Sequence, residues 1–135
     1  MPKTMQTLYP CLAYQDADAA ISFLQEAFGF AEHALYRDDD DRVAHCELAL
    51  EGAVVMVGDE GAGSIGLSSP KSLGAVSACI YVAVDDPDAL AERVRGTGTE
   101  LEHDLHETDY GSREFACLDP EGVLWSFGTY RPSVG

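Results

Sequence analysis

The sequence predicts an α+β fold in which two tandem βαβββ modules form a curved sheet cleft with their helices outside. Three observations predict it. The first is an internal echo at a constant separation of 70 residues: Ala13 falls on Ala83, Asp16 on Asp86, Asp18 on Asp88, Ala19 on Ala89, Glu32-His33 on Glu102-His103 and Gly58 on Gly128. A fixed offset running through strands, helices and turns marks a duplicated unit. The second is a pair of hairpins. Arg113–Leu118 and Val123–Thr129 flank Asp119-Pro120-Glu121-Gly122, and Val43–Leu50 and Ala53–Gly58 flank Glu51-Gly52. Pro presets φ for such a turn and Gly accepts the positive φ that closes it. The third is one helical pattern per copy, opened by Asp and stopped by Gly. The chain therefore reads as a single domain over 1–135, with module one at 7–58, a linker at 59–76, module two at 77–128 and a tail at 129–135.

Each element follows from its residues. Thr7–Tyr14 reads as the first strand, with Pro10 removing a donor and placing it at an edge or beside a break in pairing. Asp16 caps a helix, and Asp18 sits in its first turn, where the dipole favours negative charge. Ala20, Ile21, Phe23, Leu24, Ala27 and Phe28 form one apolar face before Gly29 stops the helix. Phe30–Arg37 is the second strand, and Asp38–Asp41 is a solvated charged turn. In the third strand, Val43–Leu50, period two puts Cys46, Leu48 and Leu50 on the core face and His45 and Glu47 on the other. Ala53–Gly58 is the fourth strand, and Asp59–Gly74 is a Gly/Ser-rich connection. Module two repeats the order. Val76–Val84 is a strand, Asp85 or Asp86 caps a helix with Pro87 at its first position, and the helix runs to about Arg95. Glu100–His106 is the next strand, followed by the closing hairpin.

Composition bounds the function. A chain of 135 residues buries a real core. A net charge of −16 opposes nucleic acid and anionic membranes as partners, and favours solubility or a cationic small molecule. No apolar run reaches membrane-helix length, and MPKTMQTLY lacks the apolar core of a secretory signal, so a cytoplasmic location is expected. Cys11, Cys46, Cys79 and Cys117 stand singly in strands with no CxxC, and are expected to be buried free thiols in a reducing compartment.

The βαβββ repeat, with VDDPDALAERV opening the second helix and DPEGVLWSF closing the last hairpin, resembles the vicinal oxygen chelate superfamily. That group includes glyoxalase I, extradiol dioxygenases and bleomycin resistance proteins, and the glyoxalase/bleomycin-resistance-like members are most similar. The resemblance implies a ligand cleft, and a homodimer whose clefts are completed across subunits. It also implies metal-ligand positions on strands 1, 4, 5 and 8, which carry over to Tyr9, Met56, Cys79 and Ser126. None is His or carboxylate; phenol, thioether and hydroxyl are poor ligands for Zn, Ni, Mn or Fe(II), and Cys79, which could bind well, stands alone. No metal or other cofactor is expected there.

If those four face inward, alternation adds Cys11, Tyr81, Leu124 and Gly128. The repeat adds His45, Glu47, Arg113 and Phe115. The opposite parity sends Ile80, Val82, Val84, Val123, Trp125 and Phe127 toward the helices, all apolar as a core face requires. The expected ligand-binding set is thus Tyr9, His45, Glu47, Met56, Cys79, Tyr81, Arg113, Phe115 and Ser126, with Arg113 able to pair with Glu47. Such a lining suits a small organic ligand, cationic or aromatic, with a few polar handles. The expected function is metal-free small-molecule binding. The alternatives are a glyoxalase-like lyase, isomerase or dioxygenase with a displaced metal at His45/Glu47, and metal-free acid–base catalysis by His45 oriented by Glu47.

Overall fold

A computed structural model gives the fold and describes residues 6–62 and 66–134. The first residues of the N-terminal segment read as lacking a signal, the middle of the connection (63–65) and the last tail residue lie outside the described residues. The helices and strands are β1 (Cys11–Tyr14), α1 (Ala17–Phe23) continuing into a π-helical turn (Leu24–Phe28), β2 (Ala31–Arg37), β3 (Val43–Leu50), β4 (Ala53–Asp59), α2 (Pro70–Leu73), β5 (Cys79–Ala83), α3 (Pro87–Gly96), β6 (Leu101–Glu107), β7 (Arg113–Leu118) and β8 (Leu124–Gly128). Two four-stranded sheets result, ordered β1-β4-β3-β2 and β5-β8-β7-β6. In each, the first and last strands of the module run parallel and the other neighbours antiparallel. This is the expected α+β architecture, and the sheets do not close into a barrel. None of the described helices is long and apolar enough to cross a membrane.

Several elements differ from the sequence reading; β5 starts at Cys79, later than Val76, and β2 at Ala31, one after Phe30. β1 starts at Cys11, later than Thr7, because Pro10 has no N–H; only its carbonyl joins the ladder, accepting from Met56 N at 2.9 Å. The connection carries the short helix α2, capped by Ser69, whose Oγ accepts from Ser72 N. Val123 lies outside β8; its N–H bonds to Asp119 Oδ1 within the turn.

Asp16 and Asp86 cap α1 and α3, each accepting from the backbone N–H three residues on. Gly29 ends the first helix at φ +86°, with Gly29 N bonding Gln25 O and Phe30 N bonding Leu24 O, a left-handed cap that a side chain would strain. This cap drives Phe28 and Phe30 into module two. Phe28 meets Phe127 at 4.8 Å and Trp125 at 5.3 Å, and Phe30 meets Trp125 at 5.7 Å between ring centroids. One core therefore serves both modules.

The tip of the last hairpin fastens the modules together. Asp119, 5 % exposed, accepts from Tyr14 Oη (2.5 Å), Trp125 Nε1 (3.1 Å) and the backbone N–H of Glu121 and Val123. Glu121 accepts from the N–H groups of Gln15 and Asp16. Burial, with Asp119 close by, holds the Tyr14 phenol well above its ordinary range. Asp59 does similar work inside module one, accepting from Ala17 N and Val43 N.

Candidate functional site

Strand register decides which side chains share a face. On β3 and β4, Glu47 pairs with Met56 and Cys46 with Val57. The buried set Cys46, Leu48, Val55 and Val57 faces the helices, and His45, Glu47 and Met56 take the other face. On β7 and β8 the register moves by one. Phe115 pairs with Phe127, Ala116 with Ser126 and Glu114 with Gly128. The cause is the turn. Four residues, Leu50–Ala53, separate the pair Ala49 and Val54, whereas five, Asp119–Val123, separate Leu118 and Leu124. One extra residue exchanges the two faces of a strand.

This corrects two expected site residues. Phe115 occupies the place of Cys46, not His45; it is fully buried and stacks on Phe127 at 5.0 Å. Arg113 points to the helix side and pairs with Asp88 through two hydrogen bonds of 2.7 and 3.0 Å, not with Glu47. That pairing holds the Asp88 carboxyl below its usual value. The residue that stands in the place of His45 is Glu114.

The other expected residues fall into two groups. His45, Glu47 and Met56 share the open face of the first sheet, with Cys11 beside Met56. His45 Nε2–H donates to Glu47 Oε2 at 2.8 Å, and His33 Nε2 lies 3.8 Å from Glu47 Oε1. The irregular register between Glu32 and Ala34 accompanies this approach of His33, which alternation alone does not predict. Cys79, Tyr81 and Ser126 lie on the second sheet, Tyr81 beside Ser126 and Cys79 beside Leu124. Among the described residues no hydrogen bond or ion pair joins the two groups. Tyr9 precedes β1.

At the positions implied for a metal, the strand neighbours of Met56 and Ser126 are Cys11 and Tyr81, rather than Tyr9 and Cys79. The set Cys11, Met56, Tyr81 and Ser126 still holds neither His nor carboxylate, and its one good ligand, the Cys11 thiol, stands without a second. Among the described residues no three His, Cys, Asp or Glu side chains are arranged to hold an ion.

A cavity of about 570 Å³ opens between the modules. Pro10, Val54 and Val55 line it from the first sheet, Ile80, Val82 and Trp125 from the second, and Phe30 from between them. Tyr9 and Tyr81 both border it, and Gln6, Glu51 and Arg131 are its polar groups. Its size and mixed but mainly apolar wall match a small-molecule site. Of the expected residues, only Tyr9 and Tyr81 reach it. Sequence reasoning missed Ile80, Val82 and Trp125 here, since parity assigns them to core packing, and it gives Phe30 and Val55 no role. The longer turn at Asp119–Val123 was the available signal for Glu114.

Comparison with known proteins agrees with this architecture. The sequence profile of the Glyoxalase/Bleomycin resistance protein/Dioxygenase superfamily matches residues 6–127. An uncharacterized protein of Mycobacterium bovis is 32% identical over 123 residues, covering 90% of this chain and 81% of that protein. Among solved structures, TioX from Micromonospora sp. ML1 superposes with a TM-score of 0.75 at 26% identity, covering 93% of this chain and all of the other. The fosfomycin resistance protein FosX from Listeria monocytogenes, solved with Mn(II) and sulfate, shares the fold at a TM-score of 0.66 and 14% identity, covering 96% of this chain and 95% of the other.

Proposed function

Because this chain belongs to the Glyoxalase/Bleomycin resistance protein/Dioxygenase superfamily, we propose that it is a metal-free small-molecule-binding protein of the glyoxalase/bleomycin-resistance-like type. The observation that carries this reading is the cavity of about 570 Å³, walled by aromatic and aliphatic side chains with few polar groups. Such a wall takes up a flat or apolar organic body through area removed from water, and leaves orientation to a few polar atoms. The donor set at the superfamily's metal positions supports binding without an ion. Trp125, the single tryptophan, lies fully buried in the cavity wall, and its fluorescence is the probe of occupancy.

The test is a thermal-shift and Trp-fluorescence screen of neutral and cationic aromatic compounds beside a panel of divalent metals. A ligand at 100 times its Kd stabilises by about 2.7 kcal/mol. A shift with organic compounds and none with metals is expected. Stoichiometric metal with metal-dependent turnover would replace this reading with an enzyme using a displaced ion at His45 and Glu47. We also propose a homodimer, which the likeness to the superfamily implies. Light scattering at the monomer mass would overturn that proposal.

A further inference from the structure

The open face of the second sheet carries a constellation that the apolar cavity does not explain. Glu114 on β7 stands beside Gly128 on β8. A Cβ on Gly128 would meet Glu114 Cγ at 2.6 Å, Tyr81 Oη at 2.8 Å and Glu114 Oε2 at 3.0 Å. Only glycine leaves room for the carboxylate and the phenol to fold over the strand together. From the other side, Tyr110 Oη donates to Glu114 Oε2 at 2.9 Å. The Tyr110 and Tyr130 rings meet edge to face at 5.6 Å, and Tyr81 Oη donates to the Tyr130 carbonyl at 2.7 Å. Tyr81 and Tyr110 thus flank one carboxylate, with the Tyr130 ring packed on Tyr110, and all three tyrosines are exposed.

Glu114 is half-buried, and among the described residues it has no ion-pair partner: Arg113 is held by Asp88, and Arg131 lies 3.4 Å from Asp85. A half-buried carboxylate with one phenol donor retains acceptor capacity and favours a cation. Aromatic faces attract an ammonium group through the ring quadrupole, and the net charge of −16 concentrates cations near the surface.

We propose that Glu114, Tyr81, Tyr110 and Tyr130 form a binding subsite for the ammonium group of a small organic cation. Tyr81 also borders the cavity, so the ligand class is an amphiphilic amine, with its apolar body in the cavity and its charged end at Glu114. This rests on the small-molecule-binding reading above and narrows it. The hydrogen bond to Glu114 is the leading cause that holds the Tyr110 phenol above its ordinary range, and burial does the same for Tyr81, so both hydroxyls remain protonated at neutral pH.

The experiment compares choline with its uncharged carbon isostere, 3,3-dimethylbutan-1-ol, by NMR titration of the tyrosine ring signals. In parallel, 2-naphthol is titrated against Trp125 fluorescence as a neutral probe of the cavity. Choline should bind about tenfold or more tightly than the isostere. Glu114→Gln should abolish that preference, and Gly128→Ala should weaken choline by displacing Glu114 and Tyr81. Tyr110→Phe keeps the ring, removes the hydroxyl and supplies a second variant should Glu114→Gln misfold; a weaker choline affinity is expected. Equal binding of choline and the isostere, or a preference that survives Glu114→Gln, overturns the subsite. If 2-naphthol still quenches Trp125 while choline fails, the cation subsite falls and the binding reading stands. If neither binds, both fall.

Discussion

Replacing Asp119 with Ala tests whether the last hairpin tip fastens the two modules. Four donors lose their acceptor: Tyr14 Oη, Trp125 Nε1 and the N–H groups of Glu121 and Val123. The two backbone bonds are buried as well, with Val123 1 % exposed, while the neighbouring Pro120 is open to water. Tyr14 and Trp125 have no exposed surface and cannot recover. Each stranded buried donor costs ~1–3 kcal/mol, so Asp119→Ala, which strands four, should cost about 4 kcal/mol or more. That is a large share of the ~5–15 kcal/mol that holds a domain of this kind. The assay is urea unfolding followed by Trp125 fluorescence and circular dichroism together. Tyr14→Phe alone should cost ~1.5–3 kcal/mol, since it removes a bond to a charged acceptor. In the Asp119→Ala background the same change should cost far less, because its partner is already gone. A loss below ~1 kcal/mol for Asp119→Ala, or additive single losses, would refute the argument.

Three further outcomes follow from burial and register. Cys11 and Cys79 are exposed and should react with a thiol reagent in the folded protein, whereas buried Cys46 and Cys117, pushed up to about 11 and about 12 chiefly by burial, should react only on unfolding; timed labelling with mass spectrometry decides it. Stability should fall as pH rises past about 9 and 10, where the unfolded thiols and Tyr14 release protons that the folded chain retains, so that the unfolded state binds fewer; urea midpoints across that range measure the loss, and a flat profile would contradict it. Arg113→Met should leave 2-naphthol and choline affinities unchanged within about twofold, since the side chain serves Asp88; a tenfold loss in either titration would return Arg113 to the ligand site.

The duplicated architecture was legible because its signals are local. Asp16 and Asp86 cap helices wherever they stand before such a run, Gly29 takes a left-handed φ that other residues resist, and β3 and β7 begin and end where alternation places them. The core partners Trp125 and Phe127 followed from parity within one strand. The site was legible only in part. His45, Glu47 and Met56 do share a face, as period two requires. Carrying that parity across the repeat failed at Arg113 and Phe115, because a constant offset hides one added residue in a turn.

What the sequence determined alone was the order of elements, their caps and the apolar face of each strand, all consequences of backbone geometry over a few residues. Tertiary structure decided which groups meet. It brought Phe28 and Phe30 of one module onto Trp125 of the other, set a cavity between them, and laid Glu114 beside Tyr110 over the bare backbone of Gly128. Those meetings depend on strand register and on packing between segments distant in the chain, and one residue in a turn is enough to change them.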